Sequence, residues 1–310
     1  MMVVYNDIDS FTKLPYGVTT IGIFDGVHIG HQKILKSLVE EAKKVGGESV
    51  VVTFWPHPRL VLANDTSLKL INSIEEKINL IAELGVDHLI VIPFTREFSN
   101  LSAEKFSKEY LADKIGTKIL FVGYDHRFGK NKEGSFDYLK DHAHLYGFEV
   151  KEIPSQDIDN LSVSSTRIRE AIESGDLDTA NELLDRVYSL AGIVVKGRQM
   201  GRQLGFPTAN IAIALENKIL PFFGVYAVRV ELHKKAYYGM LNIGIKPTFE
   251  NLGPTIEVHI FDFQEDIYGE SIKISFVKRI RDEQKFASIK DLKQQLVQDK
   301  MDCLHVFELV

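Results

Sequence analysis

The residues Thr19-Thr20-Ile21-Gly22-Ile23-Phe24-Asp25-Gly26-Val27-His28-Ile29-Gly30-His31 constrain this chain more than any other stretch. An apolar run leads through a Gly/Asp turn into the amphipathic segment 32–45, so a strand ends where a helix begins. Such a turn aims backbone N–H groups and the positive end of a helix at one point, an arrangement suited to a phosphate chain. Gly26 and Gly30 lack a Cβ and let the backbone approach closely. His28 and His31 lie three apart and share a face at a helix start. Two imidazoles there can donate hydrogen bonds to phosphate oxygens and to charge developing on a leaving group.

Strand and helix signals alternate from this point. Strands are expected over residues 18–24, 48–54, 88–92, 118–122 and 148–153. Helices are expected over 32–45, 74–84, 102–113 and 135–146, with Ser102 as a cap and Glu104 in the first turn of its helix. This alternation predicts an α/β domain with a parallel sheet, in which ligands sit beyond the carboxyl ends of the strands. Residues 25–31 and 123–129 fall there. Two short helices, 165–173 and 177–184, flank Gly175. After Tyr188 the pattern changes to short strands at 190–195, 224–232, 236–243, 255–261 and 271–277, which predict a small antiparallel barrel or sandwich. A last helix, 289–298, opens at Ser288 with Asp291 three residues on. The change of character near 186–188 divides the chain into domains 1–186 and 187–310.

A chain of 310 residues with 45% hydrophobic and 26% charged residues can bury sizeable cores in two domains. The single cysteine, Cys303, allows no intrachain disulfide and fits a reducing, cytoplasmic setting. No signal peptide is expected in residues 1–10, and no apolar run approaches the ~20 residues that span a bilayer. A net charge of −6 argues against nonspecific nucleic-acid binding, so anionic ligands must be held by local clusters.

The His pair has company. Val52-Thr53-Phe54-Trp55-Pro56-His57-Pro58-Arg59 follows the second strand, and Gly123-Tyr124-Asp125-His126-Arg127-Phe128-Gly129-Lys130 follows a later one. Ser164-Ser165-Thr166-Arg167-Ile168-Arg169 opens a helix. Alone, each has an ordinary reading as a rigid turn, a solvated loop or a cap. Together, in this order, they resemble the nucleotidyltransferase domain of bacterial bifunctional riboflavin kinase/FAD synthetases, whose signature is HxGH. The resemblance implies a Rossmann-like fold that adenylylates FMN with ATP. It implies that His28 and His31 touch the phosphates, that Ser164, Ser165 and Thr166 donate hydrogen bonds, and that Arg167 stabilises the leaving pyrophosphate. It further implies nucleotide or flavin contacts from Phe24, Gly26, Gly30 and Arg127, and nucleotide or Mg²⁺ contacts from Asp25 and Asp125. Trp55 and His126 depart from the family pattern on the side where the resemblance puts the flavin.

In the second domain, Gly197-Arg198-Gln199-Met200-Gly201-Arg202-Gln203-Leu204-Gly205-Phe206-Pro207-Thr208-Ala209-Asn210 is neither a P-loop nor a GxGxxG turn. Its glycines can bring backbone amides against phosphates. Its ending resembles the PTAN motif of riboflavin kinases. The resemblance implies contacts from Gly201, Gly205 and Pro207 and places Mg²⁺ with ATP on Thr208 and Asn210, hard oxygen ligands that suit this ion. Residues 242–249, beginning with Asn242, resemble another segment of that family. In 255–263, strand alternation puts Ile256, Val258 and Ile260 on one face and Glu257 with His259 on the other. The resemblance makes Glu257 the base that takes the ribityl proton as riboflavin attacks the γ-phosphorus of ATP. The expected substrates and products are ATP, riboflavin, FMN and FAD, with no nucleic acid or membrane partner.

Overall fold

Hydrophobic residues on both parities of the first-domain strands, such as Val50, Val51 and Val52, require a sheet covered on both faces. The computed structural model shows that sheet; it describes residues 1–63, 65, 67–123, 127–153, 163–197, 200–245 and 254–308. The chain divides into two compact units, Met1–Ser165 and Thr166–Val310.

In the first unit, strands β1 (Val3–Tyr5), β2 (Gly17–Ile21), β3 (Glu48–Trp55), β4 (His88–Pro93), β5 (Thr117–Gly123) and β6 (Glu149–Ile153) form one sheet in the order β1-β4-β3-β2-β5-β6. Every pair is parallel. Helices α1 (Ile29–Val45), α2 (Pro58–Leu62), α3 (Ile74–Glu83), α4 (Ala103–Lys105) and α5 (Phe136–Tyr146) connect them. One face buries Val18, Val51, Leu89, Val91, Ile119 and Phe121 against Leu35 and Leu38 of α1 and Ile81 of α3. The other buries Ile21, Val50, Val52, Ile90, Leu120 and Val122 against Phe106, Leu111 and Leu139. Strand order reverses direction between β2 and β5, so the crevice beyond their carboxyl ends is the place where a doubly wound sheet takes a ligand.

Several elements differ from the sequence expectation. The strand expected to run to residue 24 ends at Ile21, because Phe24 adopts a left-handed φ of 51°. Helix α1 begins at Ile29 with His28 as its cap. The helix expected over 102–113 is capped by Ser102, opens as α4 and continues as a π-helix, Phe106–Ile115. Short β1, α2 and a helix at Met200–Leu204 were not expected from the pattern.

The second unit begins after the first residue of α6 (Ser165–Ser174) and contains α7 (Leu177–Leu184) and α8 (Met200–Leu204). Strands β7 (Ser189–Val195), β8 (Ala209–Ala212), β9 (Gly224–Leu232), β10 (Lys235–Gly244), β11 (Thr255–Ile260) and β12 (Ser271–Arg281) close into an antiparallel barrel ordered β10-β11-β8-β7-β12-β9. The terminal helix α9 (Ile289–Val306) runs beyond the expected residue 298, because Cys303 and Leu304 pack with Phe206, Met240 and Phe261. Arg281 of β12 forms a bidentate ion pair at 2.7 Å with Asp299, which is wholly buried on α9. Among the described residues no helix is long and apolar enough to cross a membrane.

Candidate functional site

In the first unit, the segment after β2 is a tightly braced loop. Phe24, Gly26 and Val27 have φ of 51°, 87° and 38°, unusual for the two non-glycine residues. Phe24 folds its ring back on Gly22, where a Cβ would come within 2.7 Å of it. The buried Asp25 carboxylate accepts from the backbone N–H of Ile71 at 3.1 Å and of Asn72 at 3.2 Å, and the Asp25 carbonyl accepts from the Ser165 hydroxyl at 2.8 Å. Gln32 donates its amide to the Val27 carbonyl at 3.1 Å.

This loop delivers His28 to the N-cap of α1, where its Nδ1 accepts from the His31 N–H at 3.3 Å. The two imidazoles stack at 3.6 Å between centroids, and the Phe24 ring stands edge-on to His31 at 5.2 Å. Gly30 is buried in the first turn. The helix end, its N–H groups and both imidazoles therefore converge at the reversal point of the sheet.

Of the later motifs in this unit, Arg127 is exposed, while Phe128 pairs with Gly134 through two backbone hydrogen bonds of 3.0 and 2.9 Å. A Cβ on Gly129 would press on the backbone of Ala103 at the start of α4. Asp125 and His126 lie outside the described residues. Ser164, Thr166 and Arg167 are exposed around the first turn of α6, and Ser165 is the member bonded to Asp25.

The sequence reading missed Lys77 on α3. It is 2% exposed, donates from Nζ to the Ile23 carbonyl at 2.7 Å and lies 5.7 Å from the centre of the Trp55 ring. Thr53 donates to the same carbonyl at 3.2 Å. Burial pushes the Lys77 ammonium down to about 8, against the attraction of Asp25. The signal was present in the sequence: Lys77 occupies the apolar stripe of its helix between Ile74, Ile78 and Ile81.

In the barrel, register assembles the second constellation. Glu257 of β11 pairs with Asn210 of β8 on one side and with Asn242 of β10 on the other. The Thr208 hydroxyl donates to the Glu257 carboxylate at 3.2 Å. Glycines close in on this row: a Cβ on Gly197 would overlap the Asn210 amide, and one on Gly201 would overlap the Phe206 carbonyl and reach 3.4 Å from Thr208 Oγ1. Gly205, at φ 86°, turns α8 into this segment. His259 shares the strand face of Glu257 yet is buried, and its Nδ1–H donates to the Pro207 carbonyl at 2.7 Å. A cleft of ≈ 440 Å³ adjoins the row, lined by Arg202, Pro207, Thr208, Ile260, Phe263 and Tyr268 among others. The hydroxyl, amide and carboxylate oxygens form a small hard-oxygen donor set, which fits a magnesium ion and not a soft metal. No group of three or more His, Cys, Asp or Glu able to hold a metal occurs among the described residues.

The comparisons with known proteins agree with this two-part division. A family model described as FAD synthetase matches residues 12–167, and one described as riboflavin kinase matches residues 184–307. A Bacillus subtilis (strain 168) bifunctional riboflavin kinase/FMN adenylyltransferase is 40% identical over 298 residues, covering 94% of this chain and 92% of its own length. The Escherichia coli (strain K12) protein of the same description is 38% identical, covering 94% and 93%. A crystal structure described as a macrolide-efflux protein from Streptococcus pneumoniae is 32% identical with a TM-score of 0.86, covering 97% of each chain.

Proposed function

The chain belongs to the bifunctional riboflavin kinase/FMN adenylyltransferase family, and from that premise we propose how its own residues divide the work. The enzyme phosphorylates riboflavin to FMN and adenylylates FMN to FAD, using ATP in both steps. Residues 1–186 are read as the adenylyltransferase domain and 187–310 as the kinase domain.

In adenylyl transfer, an FMN phosphate oxygen bonds to the α-phosphorus of ATP and the bond to the departing pyrophosphate breaks. The nucleophile is already an anion, so the protein supplies positioning and charge stabilisation instead of a strong base. His28 and His31, stacked at the N-terminus of α1, donate to the phosphates. Phe24, Asp25, Gly26 and Gly30 shape the loop, Ser165 braces it through the Asp25 carbonyl, Ser164 and Thr166 add donors, and Arg167 balances the charge on pyrophosphate. Asp125 and Arg127 contribute to the nucleotide and flavin side.

In the kinase, Glu257 accepts the proton of the terminal ribityl hydroxyl as its oxygen bonds to the γ-phosphorus and ADP leaves. Thr208 and Asn210 would hold Mg²⁺, which when bound neutralises charge on the ATP phosphates. Gly201 and Gly205 let the segment come close to the phosphates, and Asn242 flanks Glu257. The observation that most supports this reading is the cross-strand row Asn210, Glu257, Asn242 with Thr208 hydrogen-bonded to its centre. The enzyme acts on small molecules, and a cytoplasmic setting suits its ATP and flavin substrates.

A chromatographic product assay tests the division. Purified protein with Mg²⁺ and ATP should convert riboflavin to FMN and FAD, and FMN to FAD. His31→Ala should lose FAD formation and keep FMN formation, and Glu257→Ala the reverse. Loss of both activities in either folded variant would overturn the two-site assignment.

A further inference from the structure

A buried lysine is costly, and the position of Lys77 indicates what the cost supports. The loop that carries Phe24 is gripped on both sides by α3 and the residues leading into it. Lys77 and Thr53 both donate to the carbonyl of Ile23, just before Phe24. Ile71 and Asn72 donate backbone N–H groups to the carboxylate of Asp25, just after it. Between these grips, Phe24 is forced to φ 51° and Val27 follows at 38°, values that persist only where the surroundings over-determine them. The Phe24 ring then meets His31 edge-on at 5.2 Å, and His31 stacks on His28. A continuous line of contact thus runs from the Lys77 ammonium through Ile23 and Phe24 to both imidazoles. We propose that Lys77 is a positioning residue for adenylyl transfer, clamping the Ile23 carbonyl so that the loop presents His28 and His31 in one fixed geometry.

The alternative is that Lys77 merely fills the core. Two observations oppose it. The Ile23 carbonyl already has a donor in Thr53, so hydrogen-bond satisfaction alone does not require a lysine. Burial also depresses the Lys77 proton affinity, so at neutral pH the fold carries a desolvated ammonium that an apolar side chain would avoid. A group held against stability at the base of a phosphate-binding loop is better accounted for by the loop's geometry than by packing.

The proposal rests on the assignment of adenylyl transfer to the His28/His31 loop, and the test separates the two. Lys77→Met, Thr53→Val and His31→Ala are prepared in the full chain. FAD formation from FMN is measured as kcat and KM, alongside FMN formation from riboflavin as the fold control and the melting temperature. Lys77→Met should lower kcat for FAD formation on the order of 10²-fold, the scale of a small misplacement of a catalytic group. The KM for FMN should stay within about threefold, kinase activity should be unchanged, and melting should be unchanged or raised. Thr53→Val, which weakens the same clamp without removing charge, should lower kcat in the same direction by a smaller factor. Full activity of Lys77→Met beside an inactive His31→Ala would overturn the positioning role alone. Full activity of His31→Ala would overturn the site assignment beneath it. A silent Thr53→Val beside an impaired Lys77→Met would show that charge and not the clamp matters, and would also overturn the proposal. Should Lys77→Met lose kinase activity and stability together, Lys77 is a core support and the proposal fails.

Discussion

The Thr208 hydroxyl donates a 3.2 Å hydrogen bond to the Glu257 carboxylate. This bond orients the carboxylate from the residue just before β8. Glu257→Gln keeps the shape and the hydrogen bond to Thr208 but removes the base. FMN formation should fall by about 10²–10⁴-fold, the usual worth of a positioned proton acceptor. FAD formation from supplied FMN should be unaffected, and separate rate measurements on the two substrates check both halves.

Close approach of backbone to the Asn210 amide gives a second prediction. A Cβ on Gly197 would overlap that amide, so Gly197→Ala must displace either the strand or the side chain. FMN formation should drop on the order of 10²-fold from the misplacement, with FAD formation from FMN retained. An unchanged kinase rate would show that Asn210 has no fixed role.

Particular residues show how far the sequence could be read. The alternation of strand and helix signals pointed to a parallel α/β sheet, and the parity of Ile256, Val258 and Ile260 identified a barrel strand. The amphipathic pattern from residue 32 announced a helix after the turn, but it did not show that His28 caps α1 and starts it at Ile29. Three-residue β1 was invisible, since it is too short to carry a period. The left-handed Phe24 was equally hidden, because its conformation is imposed by Lys77, Thr53, Ile71 and Asn72 from other elements. The row Asn210, Glu257, Asn242 depends on strand register between distant segments, which no local pattern encodes. Lys77 was readable as a charge on an apolar stripe, but only the structure shows its ammonium turned inward to a carbonyl.

The cap and the catalytic role of His28 can be separated. Its Nδ1 accepts the His31 N–H, a function asparagine also performs at a helix start. His28→Asn should therefore leave the melting temperature nearly unchanged, within about 1 kcal/mol of stability. FAD formation should fall on the order of 10²-fold through loss of a donor to the phosphates. Equal losses in stability and rate would reduce His28 to a capping residue.

Arg281 and Asp299 make a different kind of test, on stability. Asp299 is fully buried and accepts two hydrogen bonds from Arg281 and a third from Gln295 at 2.9 Å. Asp299→Ala would leave a largely buried guanidinium without its partner, at a cost on the order of 3–5 kcal/mol. Thermal unfolding should show the barrel transition lowered, because this pair ties α9 to β12.

The buried ring of His259 predicts how barrel stability depends on pH. Burial holds its pKa below the ordinary imidazole value, as does the charge of Lys300, while the hydrogen bond to Pro207 and Asp262 act in the opposite direction. The folded state therefore favours the neutral ring, and the unfolded chain takes up the proton first as pH falls. Stability is fully present above the unfolded value, about 6.5, and is lost as pH falls from there through the folded pKa. His259→Gln can still donate to the Pro207 carbonyl but does not titrate, so it should cost some packing and remove this component. Chemical denaturation of both proteins from about pH 8 to pH 5 measures it. The advantage of the wild type over the variant should be largest near neutrality and shrink toward acid. A constant difference across that range would mean that the His259 proton is not linked to folding.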